Sequence, residues 1–559
     1  MIEYLDKGTG KESLEAVSQL YWCEDCRVPL YGEICECCGA EGRKFVKDAR
    51  VVFPEEKMLL EILLGMDVGE LNEASVWNAT GNVYYRDGER LALRISGLKE
   101  LDSKEIRAVY DERIAQMDDR GFQDMVERFI KANHSRYVAI EKEAMDYIKE
   151  ETKDFDSGDM FISFSGGKDS TVVADLAKRA LGNHKILHIY GDTTLEFPMT
   201  EQYVKEYRKE NPGTLMLSSR NKEKNFEDLC EMLGPPSRVM RWCCTVFKTG
   251  AINQKIVSLF AKHNRIVAFQ GIRHSESASR SKYERTSMNS KIAKQVTLCP
   301  IIDWFDFDVW LYILTRKILF NSAYRLGYAR VGCYCCPNNS FWSEFLSSVF
   351  IPEEYDRFQK LLLDFAKKVG KKDADVYVRE GKWKARQGGN GLEYARKSIV
   401  SFEPCVKEEN AFNYELTKPI EDALYELFKP FGTINMELGN KRLGEVYVIG
   451  KDGTPVLTLQ GRKGQNRLKV SIHNIKAFRA RNIQAVRERI DCQITKYQMC
   501  MGCKACESVC RFNAITVREC PDGTTEYRIN EDKCVKCQEC VGHFSVGCYM
   551  RKVLTIKRN

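Results

Sequence analysis

The sequence predicts a multidomain α/β protein organised on a central, doubly wound parallel sheet, with small α+β modules beside it and a cysteine-rich module at each end. Three observations carry this. Short apolar runs near 161–164 and 185–190 flank a helix-compatible stretch at 170–180, which is the spacing of a parallel βαβ unit with its right-handed crossover. A chain of 559 residues is too long for one core, and domains of roughly 100–200 residues give three to five. Most of the 23 cysteines fall in tight clusters with two-residue gaps, which is metal-ligand spacing rather than a disulfide framework.

Composition narrows the class. A hydrophobic share of 43% with 30% charged residues belongs to a soluble globular protein, and no apolar run approaches the roughly 20 residues of a membrane span, so no membrane partner is expected. The start Met-Ile-Glu-Tyr-Leu-Asp-Lys carries acids and no apolar signal core, which gives a cytoplasmic location as the expectation. A net charge of +7 tolerates nucleic acid or anionic nucleotides as partners without demanding either.

Residues 1–45 place Cys23, Cys26, Cys35 and Cys38 on two knuckles, with Cys37 as a spare thiol. Four thiolates on two turns make a tetrahedral sulfur site, read as a zinc ribbon, with rubredoxin-like iron as the other metal that suits the set. Residues 46–130 read as a small α+β module with a helix at 57–65 and strands within 74–85 and 90–95 around Arg86-Asp87-Gly88. A docking or RNA-binding role and a plain packing role both fit it. A long polar helix over 123–152 leads into the domain at 131–345.

That domain opens on an apolar strand ending in Ser165-Gly166-Gly167-Lys168-Asp169-Ser170. Glycines let the backbone approach a ligand, the free amides at a helix start point at it, and Lys168 with the hydroxyls of Ser165 and Ser170 adds charge and donors. Phosphate is the natural occupant, yet the string lacks the spacer and ending of a Walker loop. The next strand runs into Asp192-Thr193-Thr194-Leu195-Glu196-Phe197-Pro198, and a third, at 265–270, into Gly271-Ile272-Arg273-His274-Ser275-Glu276-Ser277-Ala278-Ser279-Arg280. Ligands of such sheets lie beyond the carboxyl ends of the strands, so the first two segments are expected to share one pocket, and arginines there suit bidentate phosphate or sulfate contacts.

The loop resembles that of the PP-loop ATP pyrophosphatase superfamily. Together with the Asp-Thr-x-x-Glu-Phe-Pro and Gly-x-Arg-x-x-Glu-Ser-x-x-Arg segments and the run from Pro300 to Trp310, in that order, it resembles the phosphoadenylyl-sulfate (PAPS) reductase family. The likeness implies an adenine nucleotide alpha hydrolase-like fold. It also implies a nucleotide site of Ser165, Gly166, Gly167, Lys168, Asp169, Ser170, Asp192, Thr193, Glu196, Arg273, Glu276 and Arg280. The pair Cys243-Cys244 with Cys333-Tyr334-Cys335-Cys336 resembles the pattern that holds a [4Fe–4S] cluster in adenylyl-sulfate reductases, which makes Cys243, Cys244, Cys333 and Cys336 ligands and puts Lys248 between cluster and nucleotide. Zinc on the same thiolates is the alternative, and adjacent ligands need an unusual backbone. The chain departs from the reductases in one respect: it has no Glu-Cys-Gly-Leu-His type tail, so the attacking thiol is missing unless Cys335, Cys405 or Cys492 substitutes.

Residues 346–410 read as a helical extension, with a helix at 353–369 and a basic, aromatic, glycine-rich tail at 381–389 expected as a solvated loop, the alternative being a segment that closes over a nucleotide or touches a nucleic-acid backbone. Residues 411–490 read as a small basic α+β module, with a helix near 420–428. Between Gly461 and Arg489 stand nine Lys or Arg and one acid, Glu488, which suits a nucleic-acid backbone, the wet face of a helix, or a dock for an acidic electron carrier. Residues 491–559 resemble a bacterial two-cluster ferredoxin with a hairpin turn at Asp522-Gly523. The likeness assigns Cys500, Cys503, Cys506 and Cys548 to one [4Fe–4S] centre and Cys534, Cys537, Cys540 and Cys510 to the other. Arg511 stands where that pattern has proline.

These parts imply an enzyme of sulfur metabolism with three [4Fe–4S] clusters, Zn²⁺, Mg²⁺ and either ATP or adenylyl sulfate, its chemistry carried by Lys168, Asp169, Asp192, Lys248 and Arg273. The leading expectation is ATP-dependent adenylylation and sulfur transfer to a nucleic acid or small acceptor, with a cysteine desulfurase as sulfur donor. The alternatives are a sulfonucleotide reductase that replaces the thiol tail with ferredoxin electrons, and a non-catalytic, nucleotide-gated electron carrier or scaffold. An electron donor or acceptor protein is the expected partner.

Overall fold

The strand that feeds the glycine loop alternates its side chains between two cores, which is what a sheet covered on both faces requires. Met160, Ile162 and Phe164 pack with the helices on one side, and Phe161 packs with Ile256 and Phe260 on the other. The computed structural model describes residues 19–288, 294–386, 400–500, 502–520 and 525–542. Its central sheet has six strands in the order Met216–Ser219, Leu187–Gly191, Met160–Phe164, Ile266–Phe269, Gln295–Leu298, Thr286–Ser287. The first five are parallel and the last is an antiparallel edge.

The chain enters at Met160–Phe164, winds outward through Leu187–Gly191 to Met216–Ser219, then returns to the other side of its starting strand. The order therefore reverses between Met160–Phe164 and Ile266–Phe269, the position at which a doubly wound sheet opens a crevice for a ligand. Helices Lys168–Ala180 and Asp306–Arg316 stand at that crevice.

The long helix expected over 123–152 is two helices, Arg120–Ala132 and His134–Thr152, broken at Asn133. The break has a use. Asn133 Nδ2 donates to the carbonyls of Pro29 (3.0 Å) and Phe129 (2.9 Å), and its Oδ1 accepts the Tyr31 N–H at 2.9 Å, so the residue that interrupts the helix also fastens the cysteine-rich ribbon to it. Between ribbon and central domain lies a four-stranded antiparallel sheet of Ala49–Val51, Val76–Ala79, Val83–Arg86 and Glu89–Arg90, with helix Pro54–Leu64. The strand expected at 90–95 stops at Arg90, because its partner Val83–Arg86 is only four residues long, and Ile95–Glu100 turns into a 3₁₀-helix.

The tail expected as a solvated loop is packed. Lys384 is buried and pairs with Glu344 at 2.7 Å, and Arg386 donates to the carbonyls of Leu233 and Pro235 at 2.8 Å; residues 387–389 lie outside the described residues. The helix near 420–428 is the shorter Asp422–Glu426. The basic module is a six-stranded antiparallel sheet that includes Ser401–Pro404, which had been grouped with the helical extension. Helix Ile483–Met499 runs across the boundary placed at 490 and shares one core with the C-terminal cysteine segment, through Ile490, Ile494, Cys506 and Ile515. The turn at Asp522-Gly523 is outside the described residues, but the hairpin it was expected to join is present as Ile515–Glu519 and Thr525–Ile529. Among the described residues no helix is long and apolar enough to cross a membrane.

Arg136 and Asp308 form a two-contact ion pair (2.9 Å each) with side chains 8% and 0% exposed, tying His134–Thr152 to Asp306–Arg316. Arg136→Met leaves that carboxylate buried without its cation and is expected to cost about 3–5 kcal/mol, read as a lowered midpoint in chemical denaturation.

Candidate functional site

Gly166 takes a φ of 73°, and a Cβ there would lie 2.8 Å from Thr200, so only glycine makes this turn. Ser170 Oγ closes the loop by accepting the Ser165 N–H at 3.2 Å and donating to the Gly167 carbonyl at 2.8 Å. The loop helix then starts at Lys168, whose backbone N–H donates to Tyr324 OH at 3.0 Å. Gly271 serves the same region from the third strand, since a Cβ on it would sit 2.6 Å from the Asp169 backbone.

That close approach brings four charges together. Lys168 Nζ lies 3.4 Å from Asp169 and 3.2 Å from Asp306, while Arg273 Nε donates to Asp169 at 2.7 Å and its Nη2 to Asp306 at 2.8 Å. Lys168 and Arg273 are each 3% exposed. Burial alone would raise the Asp169 carboxyl, but Arg273 and Lys168 hold it below the ordinary carboxylate range. Glu276 accepts the Arg273 N–H at 3.1 Å and pairs with Arg280, so the predicted Arg273, Glu276 and Arg280 form one chain of contacts.

These groups floor a cavity of about 230 Å³ lined by Lys168, Arg273, Ser275, Glu276 and Asp306 from the central domain. The other wall was not foreseen. It consists of Asp48, Arg50 and Asn78–Asn82 from the four-stranded sheet, with Ala329 and Arg330. Asp48 Oδ2 and Oδ1 accept the N–H groups of Asp306 and Phe307 at 3.0 Å each, capping the helix that carries Asp306. Burial, then the nearby Asp306 charge, push the Asp48 carboxyl up to about 7. Asp306 could have been found, since it lies within the Pro300–Trp310 run; Asp48, Asn78 and Arg330 stand in no motif.

Asp192, Thr193 and Glu196 do not line this cavity. Asp192 Oδ1 accepts the N–H of Thr194, Thr193 Oγ1 donates to Glu196 at 2.6 Å and lies 3.5 Å from Cys333 Sγ, and the Leu195 carbonyl accepts the Tyr334 N–H at 2.9 Å. The turn after the second strand therefore faces the cysteines, one strand away from the point where the sheet order reverses. Lys248 adds positive charge near Glu196 and Cys333.

Cys243 ends a helical turn and Cys244 begins a π-helix, Cys244–Gly250, the unusual backbone that adjacent ligands require. The Cys244 contact, burial and the sulfurs of Cys335 and Cys333 push the Cys243 thiol up, and burial with Cys244 close by does the same to Cys336. Cys243 and Cys333 share one apolar cluster with the buried Cys335. Among the described residues only Cys23, Cys26, Cys35 and Cys38 hold their sulfurs all within 4.8 Å of one another, a spacing that could hold one ion. The sulfurs of Cys243, Cys244, Cys333 and Cys336 do not meet that spacing.

Cys510 stands near Cys534 and Cys540, Cys506 also stands near Cys540, and Cys500 and Cys506 flank Tyr527; Cys548 lies outside the described residues. Helix Ala505–Val509 packs on the π-helix so closely that a Cβ at Gly250 would collide with Ser508. Asn253 Nδ2 donates to the Cys510 carbonyl at 3.1 Å, Lys224 pairs with Glu519 at 2.7 Å, and Cys503 shares an apolar cluster with Cys243 and Cys333.

Residues 159–339 match the phosphoadenosine phosphosulfate reductase domain, and residues 499–543 the 4Fe-4S dicluster domain. The chain carries both domains. It is 31% identical over 265 residues to the uncharacterized protein MJ0973 of Methanocaldococcus jannaschii, covering 47% of this chain and 61% of that protein. It is also similar to the adenosine 5'-phosphosulfate reductases of Geobacillus sp. (24% identical, 32% of this chain, 72% of that protein) and Bacillus subtilis (25%, 34% and 79%). The chain spans 61% and 51% of the two M. jannaschii relatives. A phosphate complex of PAPS reductase from Candida auris aligns at 13% identity and a TM-score of 0.26, covering 34% of this chain and 95% of that one.

The wall residue Asp48 faces Asp306, Arg273, Lys168 and Arg50. It is neutral below its pKa of about 7 and ionised above it, so rising pH adds a negative charge to the cavity. Affinity for sulfate, which stays dianionic throughout, is expected to fall several-fold between pH 6 and pH 8, and Asp48→Asn to flatten the curve; calorimetric titration across that range checks both.

Proposed function

We propose that the chain is an iron–sulfur enzyme that holds an adenylyl sulfate-type nucleotide at the PAPS reductase domain and reduces it with electrons fed through the dicluster domain. The observation that carries this is the seating of helix Ala505–Val509 on the π-helix of Cys243 and Cys244, with Cys503 in the same apolar cluster. A built-in electron route is expected where a reaction consumes electrons. Reduction of adenylyl sulfate consumes two: the S–O bond of the phosphosulfate breaks, sulfur leaves as sulfite holding both electrons, and the bridging oxygen stays on AMP. Iron–sulfur clusters, when bound, supply electrons one at a time.

The chain's own residues bind and orient. Lys168 and Arg273 face the anionic tail, Arg330 adds positive charge at the rim, and Lys248 stands on the cysteine side. Of the thiols that could stand in for that tail, Cys335 and Cys492 are each 1% exposed, while Cys405 is half-buried. The basic stretch ends beside the second cysteine run, where Arg479 donates to the Cys537 carbonyl at 3.2 Å and Arg489 to Gln538 at 3.0 Å. That location favours an acidic electron carrier over nucleic acid as its partner.

The second reading, ATP-dependent sulfur transfer with Mg²⁺ placed by Asp169 and Asp192, draws on the same loop and on the absent thiol. Both of those carboxylates already have protein partners.

Anaerobically purified protein with a low-potential reductant is expected to form sulfite and AMP from adenylyl sulfate, and Lys168→Ala to lose nucleotide binding at least a hundredfold. Pyrophosphate released from ATP, with no sulfite from adenylyl sulfate, would transfer the assignment to sulfur transfer. Metal analysis is expected to find about twelve iron and one zinc per chain, falling by about four iron in Cys333→Ser while the ferredoxin-type EPR signals persist. Unchanged iron in that variant removes the third cluster.

A further inference from the structure

The cations that line the anion cavity differ in how they are held. Lys168 and Arg273 are committed to Asp169 and Asp306, and Arg50 to Glu56. Arg330 lines the same cavity and is exposed. Among the described residues its guanidinium makes no hydrogen bond and no ion pair. It is therefore the cation of the lining that an entering anion takes without displacing a carboxylate.

A free side chain on a loose loop would mean little, but the backbone here is anchored on both sides. Gly327 takes a φ of 99°, a Cβ on it would lie 2.9 Å from Glu56 Oε1, and its carbonyl accepts from Arg50 at 3.3 Å and from Trp342 Nε1 at 3.0 Å. Tyr328 is fully buried beside it. On the other side Cys333 bridges to Glu196 in a short antiparallel pairing, and the Tyr334 N–H donates to the Leu195 carbonyl at 2.9 Å. Arg330 thus stands midway between the cavity wall and the first cysteine of its pair. Its charge is felt in both directions: burial and then Arg330 hold Arg280 below the ordinary arginine range, and Arg330 opposes the rise that burial gives the Cys336 thiol. A tetrahedral oxyanion relieves the repulsion between the two arginines, and two of its oxygens match the planar fork of a guanidinium.

We infer that Arg330 is a specificity-determining residue of the nucleotide site, its guanidinium binding two oxygens of the terminal oxyanion group of the tail and holding that end on the Cys336 side of the cavity. Lys168 and Arg273 then position the inner phosphate, and Arg330 separates nucleotides that carry a further anionic group from those that end at one phosphate. This rests on the reading of the loop as a nucleotide cradle, but not on which reaction follows.

The test uses the full chain, metal-loaded and anaerobic, with calorimetric binding of adenylyl sulfate and AMP. Arg330→Ala is expected to weaken adenylyl sulfate by about ten- to a hundredfold, the share of hydrogen bonds from a charged donor, and AMP by about threefold at most. Arg330→Lys keeps the charge but loses the fork, and is expected to recover part of that loss. Because the side chain is exposed and has no protein partner, both variants are expected to keep the wild-type melting temperature. Arg330→Ala with wild-type affinity for adenylyl sulfate overturns the inference, and so does equal weakening of both probes, which makes Arg330 a general attractor of anions. A variant that melts several degrees lower assigns Arg330 to the fold and overturns it as well. Sulfite formation by the wild-type chain, with binding unchanged in Arg330→Ala, keeps the proposed reduction and removes this inference. Adenylyl sulfate bound through Arg330 with no sulfite formed does the reverse, and a wild-type chain that binds neither probe removes both.

Discussion

The structure depends on a buried quartet of two cations and two carboxylates, Lys168, Arg273, Asp169 and Asp306, placed where the sheet order reverses. Each cation alone, at 3% exposure, would be too costly to bury; paired, they hold the loop helix, the end of the third strand and the helix at Asp306 in one arrangement. The quartet is neutral overall. It therefore positions an anion more than it attracts one, and an entering oxyanion must share Lys168 and Arg273 with acids already in contact. Attraction comes from Arg330 at the exposed side of the lining, which leaves affinity sensitive to any further charge there, such as that of Asp48.

The second constraint is the π-helix. In an ordinary helix neighbouring residues diverge by about 100° around the axis, so Cys243 and Cys244 could not easily face one site. Widening the turn relaxes that geometry, and the price is a backbone stretch that needs support from outside. Helix Ala505–Val509 supplies it, with Gly250 and Ser508 in close apposition and Asn253 bonded to the Cys510 carbonyl. The element that presents the cysteines is thus the one that receives the dicluster domain. Cys243, Cys333 and Cys503 pack on one apolar cluster, and the apolar shell around a metal site governs potential as well as access.

What the sequence made legible was local. The strand, Gly166 turn and helix follow from residues within twenty positions of one another, and so do the cysteine knuckles, whose ligands sit close along the chain. The Asn133 break was hidden because its reason lies a hundred residues away, at Pro29 and Tyr31. Asp306 lay inside a run whose order resembled a known pattern, but a carboxylate's role depends on which cation it meets, and Arg273 comes from another strand. Asp48 and Asn78 carried no signal at all: they are single polar residues in a module whose sequence is equally suited to packing. The boundary set at residue 490 fails for a related reason, since a continuous helix can serve two cores and composition does not change along it.

Asp48 shows why the four-stranded sheet and the central domain act as one body at the site. Its two oxygens take the first N–H groups of the helix Asp306–Arg316, so a residue outside the reductase domain fixes where Asp306 stands. Arg50, two residues further along the chain, is locked to Glu56 and donates to the Gly327 carbonyl at 3.3 Å, next to the segment that carries Arg330. Wall, floor and rim are consequently linked by buried, directional contacts rather than by a flexible joint. A site built this way has its shape set before the ligand arrives, and preorganisation of that kind converts a modest number of contacts into discrimination between anions of similar size.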